Sequence, residues 1–186
     1  PPHGLELNFW WAMLLSVPVA AGFGILLGAP TLRVRGDYLA IITLAFGEIV
    51  PIACRNLWHI DLRLGGWTLV ENFNLTNGPQ GLNPVGRPRL FGYEFGFEPL
   101  PWYFLILTVG CLIVLAKARL EHSRLGRAWR AVREDEVAAD CMGVDPIRTK
   151  LLAFALGASF AGLAGAIYAA KLQAIFPELF RFQVSI

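Results

Sequence analysis

Four long stretches of this chain carry almost no charge. Phe9–Pro30 has none in 22 residues, Pro101–Ala116 and Leu151–Ala170 have none, and Tyr38–Cys54 has only Glu48. A hydrocarbon core takes about 20 apolar residues per helix, with ~17–25 as the working range. The first and last runs fit directly, while the middle two are short and need their flanks or a partly re-entrant path. Missing charge on this pattern excludes an ordinary soluble domain. The chain is 55% hydrophobic with a mean hydropathy of +0.52, whereas soluble domains sit at roughly 45–50% apolar. The expected fold is all-α and integral to a membrane: a polytopic helical bundle of about four spans, at 9–30, 38–54, 101–117 and 150–172.

Other absences narrow the function. Three cysteines among 186 residues do not make a disulfide framework, and free Cys behaves as a small apolar packing residue. His3, His59 and His122 are isolated, so no pair has the spacing of a zinc site, and no metal site is expected. No Walker-type phosphate loop occurs, no Gly-x-Gly-x-x-Gly follows a strand pattern, and no Ser stands in a nucleophile elbow. Nothing points to catalysis or to a cofactor bound by this chain, and energy for any transport must come from another subunit or an ion gradient. Pro1–Trp11 lacks the basic start of a signal peptide. With a Pro-Pro-His beginning and no initiator Met, an internal piece of a longer polytopic protein is expected.

Charge is gathered where the apolar runs stop. Glu121–Lys150 holds 12 of the 30 Asp, Glu, Lys and Arg residues, and Lys117–Lys150 contains eight basic ones. Short cytoplasmic loops collect Lys and Arg, which places 118–149 in the cytoplasm. Counting back puts 55–99 outside and Thr31–Asp37, with Arg33 and Arg35, inside. Within the charged stretch Leu125, Ala128, Trp129 and Val132 recur at i, i+3, i+4 and i+7, one helical stripe flanked by Arg127 and Arg130. Arg130 and Glu134 have the spacing of a helical ion pair. Val137, Ala138, Cys141 and Met142 form a second apolar face. Gly143 predicts a left-handed helix stop, and Asp145-Pro146 predicts an N-cap followed by Pro at the first helical position. A solvated linker explains the charges, but it accounts poorly for two short helical units bearing apolar faces. An apolar patch ringed by charge is what a partner groove takes in.

The remaining elements are read in the same way. Asp37 is a candidate N-cap for the second span, and Pro51 a candidate break. Glu48 has two readings. It is either held near the outer interface by a neighbour or water, or it serves a translocation path, since intramembrane carboxylates are costly and often functional. The segment 55–99, with seven glycines and four prolines, reads as a long irregular loop. Its turn cluster Thr76-Asn77-Gly78-Pro79-Gln80-Gly81 is either solvated or the lip of a path, because non-helical backbone is tolerated at a cavity. In the last span Gly157, Ala161, Gly165 and Ala169 form one small-residue row, and Ala158, Gly162, Ala166 and Ala170 the next. Such rows let helices approach closely in lipid.

Taken together, these segments resemble a known family. Arg33-Val34-Arg35-Gly36-Asp37-Tyr38-Leu39-Ala40-Ile41-Ile42-Thr43-Leu44-Ala45-Phe46-Gly47-Glu48-Ile49 resembles the signature of the branched-chain amino acid ABC transporter permeases of the LivM type. Thr76-Asn77-Gly78-Pro79-Gln80-Gly81 is similar to that family's outer Thr-Gly-Gly-Pro-Asn-Gly element, departing from it at Asn77 and Gln80. Ser123-Arg124-Leu125-Gly126-Arg127-Ala128, continuing through Arg133-Glu134-Asp135-Glu136-Val137-Ala138-Ala139, resembles its cytoplasmic run. The resemblance covers most of the chain from Val17 onward. It implies a permease subunit of the cell (inner) membrane that pairs with a second permease as a heterodimer. Two cytoplasmic ATPase subunits would hydrolyse ATP, and an extracytoplasmic amino-acid-binding protein would deliver branched-chain or related amino acids. Membrane lipid is the surrounding medium, and no nucleic acid is involved. The implied coupling helix lies in the charged loop, with Arg127, Trp129, Arg133, Glu134, Asp135, Glu136, Ala138, Ala139 and Gly143 as ATPase-docking residues. Importer permeases often carry Glu-Ala-Ala-x-x-x-Gly there. This chain has Val137-Ala138-Ala139-x-x-x-Gly143, with Glu136 one place early. Thr43, Glu48, Thr76, Asn77, Gly78 and Pro79 are the substrate-path candidates. The competing readings are an ion-coupled carrier that uses Glu48 and a purely structural anchor for a cytoplasmic complex.

Overall fold

The structure is a computed structural model that describes residues 8–32, 37–56, 60–64, 67–73, 86, 88–90, 93–96 and 98–176. Its helices are α1 (Phe9–Thr31), α2 (Asp37–Asn56), α3 (Pro99–Glu121), α4 (Arg124–Glu134), α5 (Glu136–Cys141) and α6 (Pro146–Leu172). Among the described residues, α1, α3 and α6 are long and apolar enough to cross a bilayer, whereas in α2 the apolar stretch is the shorter Leu44–Ala53. α2 starts at Asp37 and continues through Pro51 instead of breaking there. A Pro in a membrane helix is accommodated when neighbouring groups satisfy the freed backbone.

α1 and α6 run antiparallel in close contact. Gly24 meets Phe154 and Ala158, and Gly162 meets Ser16 and Ala20, so residues rising along α1 match residues falling along α6. The approach is close enough to need glycine. A Cβ at Gly24 would lie 2.7 Å from the Ala158 Cβ, and one at Gly162 would lie 2.6 Å from the Ala20 Cβ and 2.8 Å from the Ser16 carbonyl oxygen. Of the two small-residue rows on α6, the one through Ala158, Gly162, Ala166 and Ala170 is turned inward. Gly157, Ala161 and Gly165 are exposed, and a Cβ at Gly157 or Gly165 would meet nothing within 4 Å.

One end of the bundle holds the apolar cluster Phe9, Phe95, Trp102, Ile167 and Ala170. Trp102 stacks edge-on against Phe95 at 5.7 Å and donates its indole N–H to the Gly96 carbonyl at 3.0 Å. Trp10 donates to the Arg89 carbonyl at 2.9 Å. This end joins the start of α1, the start of α3 and the finish of α6. Elsewhere the long apolar side chains point outward, Leu26 and Val114 among them at 64% and 66% exposure. Lipid is the medium for these side chains, so helix contacts depend on close packing and not on removal of apolar surface from water.

The segment read as an irregular loop contains two antiparallel hairpins: β1 (Ile60–Leu64) with β2 (Trp67–Phe73), and β3 (Arg89–Leu90) with β4 (Tyr93–Glu94). Leu62 pairs with Val70 and Leu64 with Trp67. Alternating Ile60, Leu62 and Leu64, and the Trp-Thr-Leu-Val run of β2, carry ordinary strand propensity, which the glycine and proline count of the whole segment outweighed in the sequence reading.

Candidate docking site

The end opposite the aromatic cluster is built by α4, α5 and the turns on either side. α3 runs on to Glu121, and Ser123 caps α4 by accepting from the Gly126 amide at 3.3 Å while donating to the Leu120 carbonyl at 2.6 Å. The reversal is too tight for a side chain at Gly126: a Cβ there would collide with the Glu121 carbonyl and lie 2.6 Å from the Leu120 oxygen. Arg130 reaches back along this corner and donates to the Glu121 carbonyl at 2.8 Å. It takes that position in place of the expected pairing with Glu134, because the helix-end carbonyl lacks an intrahelical donor.

Asp135 separates α4 from α5. Its Oδ1 accepts from the Val137 and Ala138 amides at 2.9 and 3.0 Å, an N-cap that satisfies two orphan donors. α5 closes at Gly143, φ +83°. The Val144 amide donates to the Ala139 carbonyl at 3.0 Å and the Gly143 amide to the Asp140 carbonyl at 2.9 Å, a Schellman stop. Asp145 then caps α6 by accepting from Ile147 and Arg148 at 3.0 and 3.1 Å, with Pro146 at the first helical position. Arg148 also pairs with Asp145 at 3.1 Å.

Two contacts tie this element to α6. Trp129 donates its indole N–H to the Thr149 carbonyl at 2.8 Å, and Lys150 pairs with Glu136 at 2.7 Å. The ion pair is exposed and contributes on the order of 0–1 kcal/mol. Trp129 brings burial as well. Its stripe partners Ala128 and Val132 are also half-buried, and only Leu125 is exposed. The stripe expected to face a partner is therefore the seam by which α4 rests on its own protein.

The outward surface is the second apolar face. Val137, Ala138, Cys141 and Met142 are all exposed, Val137 at 74% and Met142 at 85%, whereas Ala139 behind them is buried. Exposed Arg127, Glu134, Asp135, Glu136 and Asp140 surround it in sequence, and Gly143 is exposed beside Met142. Arg133, also exposed, lines a groove with Lys117 and Arg130 against α3 and α6. Large apolar side chains left in the open outside the spanning segments mark a contact surface.

The substrate-path candidates lie apart from this surface. Glu48 is exposed on α2 and Thr43 lies on the same helix; Thr76, Asn77, Gly78 and Pro79 fall outside the described residues. Beside α2 runs an apolar groove of about 600 Å³ between α1, α2 and α6, lined by Gly24, Gly28, Phe46, Gly47 and Phe154 among others. Sequence reasoning missed Phe46 and Phe154, since only the crossing of three helices brings them together. Among the described residues no group of three or more His, Cys, Asp and Glu side chains is placed to hold a metal ion.

Residues 3–186 match the family described as branched-chain amino acid transport system / permease component. The chain is 38% identical over 98% of its length to the high-affinity branched-chain amino acid transport system permease protein LivM of Salmonella typhimurium, and equally to that of Escherichia coli. It is 26% identical over 84% of its length to a probable LivM of Methanocaldococcus jannaschii, covering 41% of that protein. It is also similar to the ribose import permease protein RbsC of Escherichia coli, at 28% identity over 94% of the chain and 49% of the relative. It spans 45% of the bacterial LivM proteins. No solved structure matches it.

Proposed function

Because the chain belongs to the branched-chain amino acid transport system permease family, we propose that it forms part of a permease subunit in an ATP-driven importer of the cell membrane. Its cargo is then a branched-chain or related amino acid, handed over outside by a binding protein and moved through a pair of permeases. The pair is a heterodimer in this reading, and cytoplasmic ATPases supply the energy. The observation that carries the proposal is α5. A short helix, capped by Asp135 and stopped by Gly143, presents Val137, Ala138 and Met142 outward at the basic end of the spans.

The geometry supports alternating access by rigid-body motion. A push on α5 reaches α6 through the Lys150–Glu136 pair and through the Trp129 bond to Thr149. α6 is interlocked with α1 at Gly24 and Gly162, so the two helices shift as one packed unit. An ion-coupled carrier working through Glu48 is not favoured, since the matched relatives are named as permeases of transport systems.

The test is co-purification of the full-length protein with its cognate ATPase in detergent. Val137→Asp together with Met142→Asp places two charges on the outward face without touching the bonds to α6. ATPase association is expected to fall at least tenfold while the protein still inserts. Undiminished association would remove α5 from the docking surface.

A further inference from the structure

A groove of about 580 Å³ opens between α3, α4 and α6 at the same end of the spans as α5. Its floor is apolar, formed by Leu120, Ala153, Leu156, Gly157 and Phe160, and its rim carries Lys117, Arg130 and Arg133 with the indole of Trp129 beside them. One carboxylate, Glu121, also lines it, leaving three cations against one anion. Among the described residues neither Lys117 nor Arg133 has a carboxylate partner, and Arg130 is anchored through one nitrogen on the Glu121 carbonyl. The groove thus joins unneutralised cations to an apolar slot between two spanning helices, at the level where α3 leaves the membrane.

We propose that this groove binds one anionic phospholipid of the cytoplasmic leaflet. The phosphate lies against Lys117, Arg130 and Arg133, and an acyl chain lies along Leu156, Gly157 and Phe160. A free phosphate would leave the apolar floor unused, and a zwitterionic lipid would leave the excess positive charge uncompensated. Charge complementarity favours the anionic lipid, because each Lys or Arg close to a membrane surface contributes appreciably to holding anionic headgroups. The bound lipid would brace α4 against α3 and α6 in a groove that no residue of α5 lines.

The test uses the full-length protein in its purified complex, delipidated and titrated with phosphatidylglycerol while native mass spectrometry counts bound lipid. Phosphatidylcholine and soluble glycerol phosphate are the comparison probes. One phosphatidylglycerol is expected to be retained in preference to both. Lys117→Gln combined with Arg133→Gln should weaken that retention roughly thirtyfold, for two interfacial cations lost. Gly157→Leu should also weaken it by filling the floor, where a Cβ meets nothing within 4 Å. Arg119→Gln, an exposed cation that does not line the groove, should leave it unchanged. Equal retention of phosphatidylcholine, binding of glycerol phosphate as tight as that of the lipid, no retained lipid, or retention unaffected by both the charge and the floor variants would each overturn the proposal.

Discussion

Gly143 shows how one residue sets the shape of the docking element. Its φ of +83° lies where a side chain costs about 1–2 kcal/mol, yet the position is open, with nothing within 4 Å of a Cβ. The cost of substitution is therefore conformational and not steric. Gly143→Ala is expected to loosen the end of α5 by about 1 kcal/mol, read as faster amide hydrogen exchange at Val144 and Gly143, whose bonds form the stop. Gly143→Trp adds bulk beside exposed Met142 and should abolish coupled transport in the full-length protein while membrane insertion persists. Normal uptake by that variant would dissociate Gly143 from docking. Gly126 is the opposite case: its φ is ordinary, but the neighbouring carbonyls of Glu121 and Leu120 leave no room for a side chain.

Helix α6 carries the contrast between its two small-residue rows. Sequence periodicity finds both and cannot rank them. Packing does, because Gly162 lies against Ala20 and the Ser16 carbonyl while Gly165 is open. Gly162→Leu is expected to part α1 from α6 and destabilise the bundle by about 1–3 kcal/mol, the usual cost of overpacking. Gly165→Leu should leave the melting temperature in detergent within error of the parent. Equal effects would mean that the open row is also covered. The charged element divides in a similar way. Both apolar faces of α4 and α5 are visible in the sequence, but Trp129 turns to Thr149 whereas Met142 remains 85% exposed.

For the molecule as a whole, the joining of helix ends gives the bundle two distinct poles. The Phe9–Trp102–Ala170 cluster marks one end and the α4–α5 element the other, and the density of Lys and Arg over 117–150 predicts that the second end faces the cytoplasm. Cys141, the last residue of α5, is exposed. In a full-length variant that keeps it as the sole cysteine, it should react with a membrane-impermeant maleimide in inside-out vesicles and not in right-side-out ones. The reverse pattern would invert the orientation and with it the placing of α5. Cys111, midway along the spanning helix α3 and also exposed, faces hydrocarbon in this arrangement and should resist the reagent in both preparations.

The span-length helices α1, α3 and α6 and the Asp135, Gly143 and Asp145 punctuation were legible in the amino-acid order. Each is a local property: apolar length against bilayer thickness, and hydrogen bonds that reach only a few residues along the chain. The paired strands of 60–73 were missed because composition averaged over a long segment hides a short alternating run. Which face of α4 turns inward, which row of α6 meets α1, and the grooves that unite Phe46 with Phe154 or Lys117 with Arg133 were settled by the bundle itself. Those facts depend on residues far apart in the chain, and helical periodicity names the faces without saying what stands opposite them.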